Sequence, residues 1–260
     1  MFEAKVIRVA AFDNVVEPGS SIGDLDRLGR KLGRHTRLSS VEHEALARWL
    51  GRSLRIVRDG VPLVEHGASP SEINIVVDGW AARYRTAPNG RRHILAFHLP
   101  GDVCEFDAFV MRSMDSTIQA VTRLRVACIT RDALDGLIAE HPMLAQALQR
   151  ESQVAASIGR EWTISIGHRN ARQRIAHLLC ELAERMRHVG LLDGDVMALP
   201  LTQAHLGDAC ALTPEHTNRS LRELRDAGLI ALRRGELGIV DWAGLTALAH
   251  FDKSYFDQTG

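Results

Sequence analysis

The sequence lacks an excess of charge of either sign. Lys+Arg and Asp+Glu number 32 each in 260 residues, for a formal net charge of zero. Overall charge therefore draws no polyanion, and any nucleic-acid contact must come from a local arrangement of side chains. Paired cysteines are also missing. Cys104, Cys128, Cys180 and Cys210 are scattered, with no C-x-x-C pair. Such spacing fits small buried side chains in a reducing compartment better than a disulfide framework, a metal site or an iron–sulfur site. No run approaches the roughly 20 apolar residues of a membrane span. The stretch Met1 to Gly33 is mixed and charged, without the apolar core of a secretory signal. It is expected to be a weakly structured extension of a cytoplasmic protein. No nucleophile–base pair, paired carboxylates or phosphate loop occurs at telling spacing, so an enzyme is not expected. What is present is an ordinary composition, 45% hydrophobic and 25% charged. That suffices for a core in one large domain or two modest ones.

The first clear element starts near Leu38. Ser39 and Glu42 form a capping-box pattern, Ala45, Leu46, Trp49 and Leu50 share one helical face, and Gly51 closes the helix. From Leu54 to Thr130 the texture is that of short strands, such as Ile73-Asn74-Ile75-Val76-Val77 and His93-Ile94-Leu95-Ala96-Phe97. Turn signals separate them, and Asn89-Gly90 is a strong hairpin signal. Many short strands with regular turns predict a β-sandwich or a jelly-roll-like barrel. From Asp132 the pattern turns helical. A short helix stops before Pro142. A long one follows, with Leu144, Leu148, Val154, Ile158, Trp162 and Ser165 at heptad-like spacing. This face is expected to be the seam of a coiled-coil homodimer rather than a face buried on its own barrel, because the barrel needs little extra cover. Gly167 to Asn170 reads as a hinge. Ile175, Leu178, Leu179, Leu182 and Met186 mark an amphipathic helix to about Val189, and Gly190 to Asp195 a loop.

The segment Leu201 to Asp241 carries the most information. Thr202 is a good N-cap, and Leu206 and Ala209 give a short helix its buried face. Cys210-Ala211-Leu212 makes a tight connection. Thr213 then caps a second helix with Pro214 at its first position, where a missing N–H costs nothing. Thr217, Leu221 and Leu224 point inward, while Glu215, Asn218, Arg219 and Arg222 lie on the opposite face. Two helices joined by so tight a turn form a helix-turn-helix, whose second helix reads the major groove with its first residues. The residue types suit the task. Arg bridges guanine O6 and N7, Asn bridges adenine N6 and N7, and Glu accepts from cytosine N4. His216 is placed to join this face. Leu229 to Leu232 and Leu237 to Val240 then flank Arg233-Arg234-Gly235-Glu236, which reads as a two-stranded wing with Arg234 at a tip that touches phosphate.

These residues, above all Leu199-Pro200-Leu201-Thr202-Gln203 and Leu212-Thr213-Pro214-Glu215-His216-Thr217-Asn218-Arg219, resemble the Crp/Fnr family of bacterial transcription regulators. The resemblance runs from about Leu38 to Ala249. It implies an α+β chain: an N-terminal double-stranded β-helix, that is, a cyclic-nucleotide-binding-like jelly roll, then a long dimerisation helix and a C-terminal winged helix-turn-helix. The domains are drawn at 1–36 for the extension, 37–135 for the sensor barrel, 136–168 for the dimerisation helix and 169–260 for the DNA-binding domain. It further implies a homodimer on a pseudo-palindromic operator in double-stranded DNA, with RNA polymerase as a partner. The family's Glu-x-x-Ser-Arg reading motif falls on Glu215, Asn218 and Arg219, with Asn218 replacing Ser. Gln203 falls where the family contacts phosphate, and Ala211 stands at a turn position where the family often has Gly. A left-handed Ala there costs roughly 1 kcal/mol.

On the sensor side the family's nucleotide-binding members use a Gly-Glu pair and a downstream Arg for the phosphate. This chain has Gly101-Asp102-Val103-Cys104-Glu105-Phe106, with Glu105 one residue out of register, and Asp115 in place of the Arg. A carboxylate there repels a cyclic phosphate, so no cyclic AMP binding by the usual mode is expected. The first cysteine is Cys104, which leaves no N-terminal ligands for an iron–sulfur cluster. His66, His93 and His98 are expected to be ordinary hydrogen-bonding residues, and Cys180 a core residue. No cofactor or metal is expected, and the effector is open. The alternative is a small-molecule module acting through protein contacts with a vestigial helix-turn-helix; the intact Glu215/Asn218/Arg219 stripe argues against it.

Overall fold

A computed structural model describes residues 22–106 and 108–256. The described residues open with α1 (Ile22–Gly33), within the stretch expected to be a weakly structured extension. The signal lay in Leu25, Leu28 and Leu32 at helical spacing. Leu28 and Leu32 are fully buried against the barrel. Asp24 in the first turn and Arg30 and Lys31 in the last suit the helix dipole. The rest of the expected extension, residues 1–21, lies outside the described residues. In α2 (Ser40–Gly51) the Ser39–Glu42 capping box forms as the spacing predicts, and Leu46 and Leu50 are buried.

Seven strands follow: β1 (Leu54–Val57), β2 (Pro62–Val64), β3 (Glu72–Asp78), β4 (Ala81–Thr86), β5 (Arg92–His98), β6 (Thr117–Ala120) and β7 (Leu124–Thr130). They form two antiparallel sheets, ordered β1-β7-β3 and β2-β6-β4-β5. Asn89-Gly90 turns β4 into β5, with Gly90 at φ +80° and the Asn89 side chain accepting from Arg91 N at 3.0 Å. β3 is a continuous apolar run because both its faces are covered. Val76 packs inside the barrel with Ile118, Leu124 and Val126, while Ile73, Ile75 and Val77 pack outward on α1 and α2.

Thr130 caps α3 (Arg131–Glu140), and Pro142 opens α4 (Pro142–His168). Here the structure corrects the reading of the heptad face. Val154, Ile158 and Trp162 are buried in their own chain, in one cluster with Trp80, Phe97 and Leu99 of the barrel. Leu144 is buried, and Leu148 partly so, in the cluster beneath α1 and α2. The Trp162 ring meets Phe97 edge-on at 6.0 Å, and its Nε1 donates to Glu181 at 2.9 Å. Burying each such side chain stabilises the fold by about 1.5–3 kcal/mol, so the face is spent within the protomer. The barrel's outer sheet, not its interior, needed this cover.

Asn170 and Gln173 make a second capping box at the start of α5 (Ala171–His188). Every residue of α5 from Ile175 to Met186 is buried, the charged Glu181, Glu184 and Arg185 included, because the helix lies between the barrel and the C-terminal unit. With α5, that unit comprises β8 (Val196–Ala198), α6 (Gln203–Cys210), α7 (Pro214–Asp226), β9 (Ile230–Arg233), β10 (Glu236–Ile239), α8 (Trp242–Ala249) and a 3-10 turn at Lys253–Tyr255. Its sheet has three strands, ordered β8-β10-β9, rather than the expected two. Val196-Met197-Ala198 pairs with β10, and Met197 fills the core beneath.

Where barrel and C-terminal unit meet, buried charges pair. Asp102, in the turn after β5, accepts from Lys31 of α1 and from Arg185 of α5, each at 2.6 Å, and from Leu99 N at 2.7 Å. Lys31 also pairs with Glu151 of α4, and Arg185 reaches Glu181 and the Phe97 carbonyl. Burial opposes the charge on Asp102, but Lys31 and Arg185 outweigh it and hold the carboxyl well below the usual carboxylate range.

Candidate nucleic-acid interface

α6 and α7 cross at Gly207. A Cβ there would lie 2.9 Å from Thr217 Oγ1, so only glycine permits the approach. Thr217 itself is fully buried, and its hydroxyl donates to the Thr213 carbonyl at 3.0 Å. Between the helices Ala211 is left-handed, at φ +54° and ψ +41°, the conformation that the departure from Gly predicted. Thr213 caps α7, its Oγ1 accepting from His216 N at 3.3 Å and lying 2.9 Å from His216 Nδ1. Pro214 occupies the first turn. Thr217, Ser220, Leu221 and Leu224 form the buried face.

The opposite face is exposed and internally linked. Arg219 and Glu215 form an ion pair at 3.5 Å, with side chains 55% and 85% exposed. Asn218 accepts from Arg222 at 3.3 Å and donates to Gln203, at the start of α6, at 3.2 Å. Gln203, Glu215, Asn218, Arg219 and Arg222 thus share one polar surface, with His216 at its edge on the cap. Pairs this exposed contribute little to stability, so the side chains are free to exchange partners for bases. Arg234 is exposed at the β9–β10 turn, where Gly235 takes φ +73°. Sequence reasoning missed Arg172. The structure places it with Asn170 along a groove shared with His216, Arg219 and Glu223. The Asn170–Gln173 cap was its signal, because it sets where α5 begins.

Residues 173–248 match the model of the Crp-like helix-turn-helix domain, and residues 54–141 that of the cyclic nucleotide-binding domain. The chain belongs to the Crp/Fnr family. It is similar to the anaerobic regulatory protein of Haemophilus influenzae, 28% identical over 192 residues, covering 74% of each chain. It is 27% identical to the nitrogen fixation regulation protein FixK of Bradyrhizobium diazoefficiens, over 77% of this chain and 83% of that one. Among solved structures, FixK2 from Bradyrhizobium japonicum shares the fold with a TM-score of 0.68 at 24% identity, over 75% of this chain and 96% of that chain. The protein is a transcription regulator of the Crp/Fnr type with a helix-turn-helix DNA-binding domain, and the family's members are regulators rather than enzymes. Crp/Fnr regulators bind DNA as dimers.

The barrel residues that the resemblance sets at the nucleotide positions are engaged internally. Gly101 takes φ +92° and turns Asp102 away to Lys31 and Arg185. Glu105 is fully buried and accepts from Asn74 N and Nδ2 at 2.8 and 2.9 Å. Asp115 lies 3.7 Å from Arg83 and accepts from Ser116 at 2.6 Å, while Arg83 donates to the Cys104 carbonyl at 2.7 Å. Burial first, then Arg83, pulls His98 down to about 3, whereas His66 is exposed. The four cysteines are free and buried. Burial pushes Cys128 and Cys210 up to about 12, and Cys104 and Cys180 also upward. None is therefore a thiolate at neutral pH. Among the described residues, no group of three or more His, Cys, Asp or Glu is placed to hold a metal ion.

Proposed function

We propose that this regulator binds a pseudo-palindromic operator as a homodimer and reads each half-site with Glu215, Asn218 and Arg219. Gln203, Thr213, His216, Arg222 and the wing residue Arg234 set the frame. The observation that carries this reading is the exposed polar surface of α7, on a helix whose other face is wholly buried. A two-fold dimer sets two such helices one DNA turn apart, about 34–36 Å.

The dimer seam is the face of α4 that the protomer leaves open. Gln149, Ser152, Ala156, Gly159, Thr163 and Ile166 alternate at spacings of three and four, opposite the buried Val154, Ile158 and Trp162. The small side chains of Ser152, Ala156, Gly159 and Thr163 allow two helices to approach closely. Cyclic AMP plays no part, because an acidic Asp115 stands at the phosphate position and Asp102 is committed to Lys31 and Arg185. RNA polymerase is a second partner, the effector is open, and the site of action is the cytoplasm. No helix among the described residues is long and apolar enough to cross a membrane.

Two substitutions test the groove assignment. Arg219→Ala abolishes discrimination at the base it contacts, at a cost of about 1–3 kcal/mol, whereas Arg234→Ala weakens all sequences alike. Both are read by titrating matched and mismatched duplexes at fixed salt. Specific binding by Arg219→Ala at wild-type strength would refute the assignment. Micromolar cyclic AMP binding in calorimetry would refute the account of the barrel.

A further inference from the structure

The DNA-binding unit is gripped by strand β5 at both ends. At the C-terminal end, Arg185 of α5 takes the Phe97 carbonyl and Asp102. At the N-terminal end, Arg92 Nε donates to Asp208 of α6 at 2.9 Å. Beside it, Arg91 Nη2 donates to the Leu212 carbonyl, in the turn between α6 and α7, at 3.0 Å. The two ends lie about 20 Å apart, at roughly 3.3 Å per residue of strand. Rotation of the winged unit about one anchor is therefore resisted by the other. Arg92 is held in place by the hairpin ladder and by the face of Tyr84, 5.4 Å away. The Arg92 and Asp208 side chains are only 33% and 23% exposed, which shields the pair from screening. Leu212 directly precedes Thr213, the cap from which the reading helix starts. Neither Asp208 nor Leu212 belongs to the reading surface, so these contacts orient the helix without touching a base.

We infer that Arg91 and Arg92 are positioning residues: the β4–β5 hairpin fixes the angle of the helix-turn-helix against the barrel and thereby sets the half-site spacing that the dimer accepts. The inference rests on the dimeric operator reading above. A change of angle at each protomer moves the two reading helices relative to the dimer axis. The spacing would then vary while each helix read the same bases.

The test uses the full-length protein with R92E, D208R and the double variant, whose folding is checked by circular dichroism. Arg92→Gln serves if the reversal unfolds the chain. Operators are selected from a library of paired half-sites with spacers of varied length. Each single reversal weakens binding at the preferred spacing by about tenfold, the factor that 1.4 kcal/mol gives. Each also broadens the range of accepted spacers, and the base preference within a half-site is unchanged. The double variant, with the pair restored in reverse, recovers both. Unaltered affinity and spacing in the singles, tighter binding in the singles, or a double variant that recovers nothing each overturns the inference. If the wild type selects single half-sites only, the dimeric reading fails instead. The hairpin contact is then judged on the free protein by the distance between spin labels at Glu65→Cys in the barrel and Arg225→Cys on α7. The distribution broadens in R92E and narrows again in the double variant; equal widths would count against the contact.

Discussion

Replacing Asp102 by Asn removes one negative charge and almost no volume. Asp102 Oδ1 lies 2.6 Å from Lys31 Nζ, and Oδ2 lies 2.6 Å from Arg185 Nη2. The three side chains are 7%, 15% and 9% exposed, so water does little to compensate. Deleting one partner of a buried pair costs about 3–5 kcal/mol, because the other charge stays buried and unmatched. Here Lys31 keeps Glu151, and Arg185 keeps Glu181 and the Phe97 carbonyl. The lower end applies, and we expect a loss of about 3 kcal/mol. Urea unfolding followed by circular dichroism reads it as a shift of midpoint at constant slope. Asp135→Asn is the control, since the Arg131–Asp135 pair is 56% and 55% exposed; it costs under about 1 kcal/mol. The pH dependence has a definite sign. A carboxyl held low in the folded state stabilises at pH values above its unfolded value of about 3.9 and loses that contribution as the pH falls. The gap between wild type and variant thus persists from pH 8 to pH 5 and closes below about pH 4. A loss no larger than that of the surface control would show that the charge cluster is not what joins barrel to DNA-binding unit.

Three further outcomes follow from particular residues. Glu in place of Gly159 sets like charges across the open face of α4; sedimentation should show a monomer with weakened operator binding, and an intact dimer would exclude that face as the seam. Ala211→Gly relieves a left-handed alanine costing about 1–2 kcal/mol against a glycine entropy cost of about 0.5–1. A small rise in thermal stability is expected, and a fall would contradict the backbone conformation. Burial holds His98 and His177 down at about 3, so below their unfolded value near 6.5 the unfolded chain binds protons that the folded one refuses. Stability should drop by about 1.4 kcal/mol per group between pH 7.5 and 5.5. Urea midpoints that stay level over that range would mean that these imidazoles accept protons in place.

The helix-turn-helix was legible because its determinants are local. Caps, a first-turn proline, an apolar spacing and a tight turn all act within a few residues, and the Asn89-Gly90 hairpin declared itself for the same reason. The left-handed Ala211 followed from a single substituted glycine. By contrast, β8 is three residues long and owes its place to pairing with β10. α1 was masked by the charged residues between its leucines. The heptad face of α4 shows the limit most sharply. Periodicity identified that Val154, Ile158 and Trp162 are covered, but a period is the same whether a partner helix or the chain's own barrel covers them. That choice depended on the apolar barrel surface at Trp80, Phe97 and Leu99, brought up from 55 and more residues away. Asp102 makes the same point in electrostatics. Its partners stand 71 and 83 residues off in the chain. No spacing announces such a cluster, because only burial of all three charges in one place makes their pairing matter. The sequence by itself determined the helix-turn-helix and the polar face of α7 proposed to read DNA, because caps and spacing act locally; the tertiary structure decided how that unit is held to the barrel, because its contacts come from distant parts of the chain.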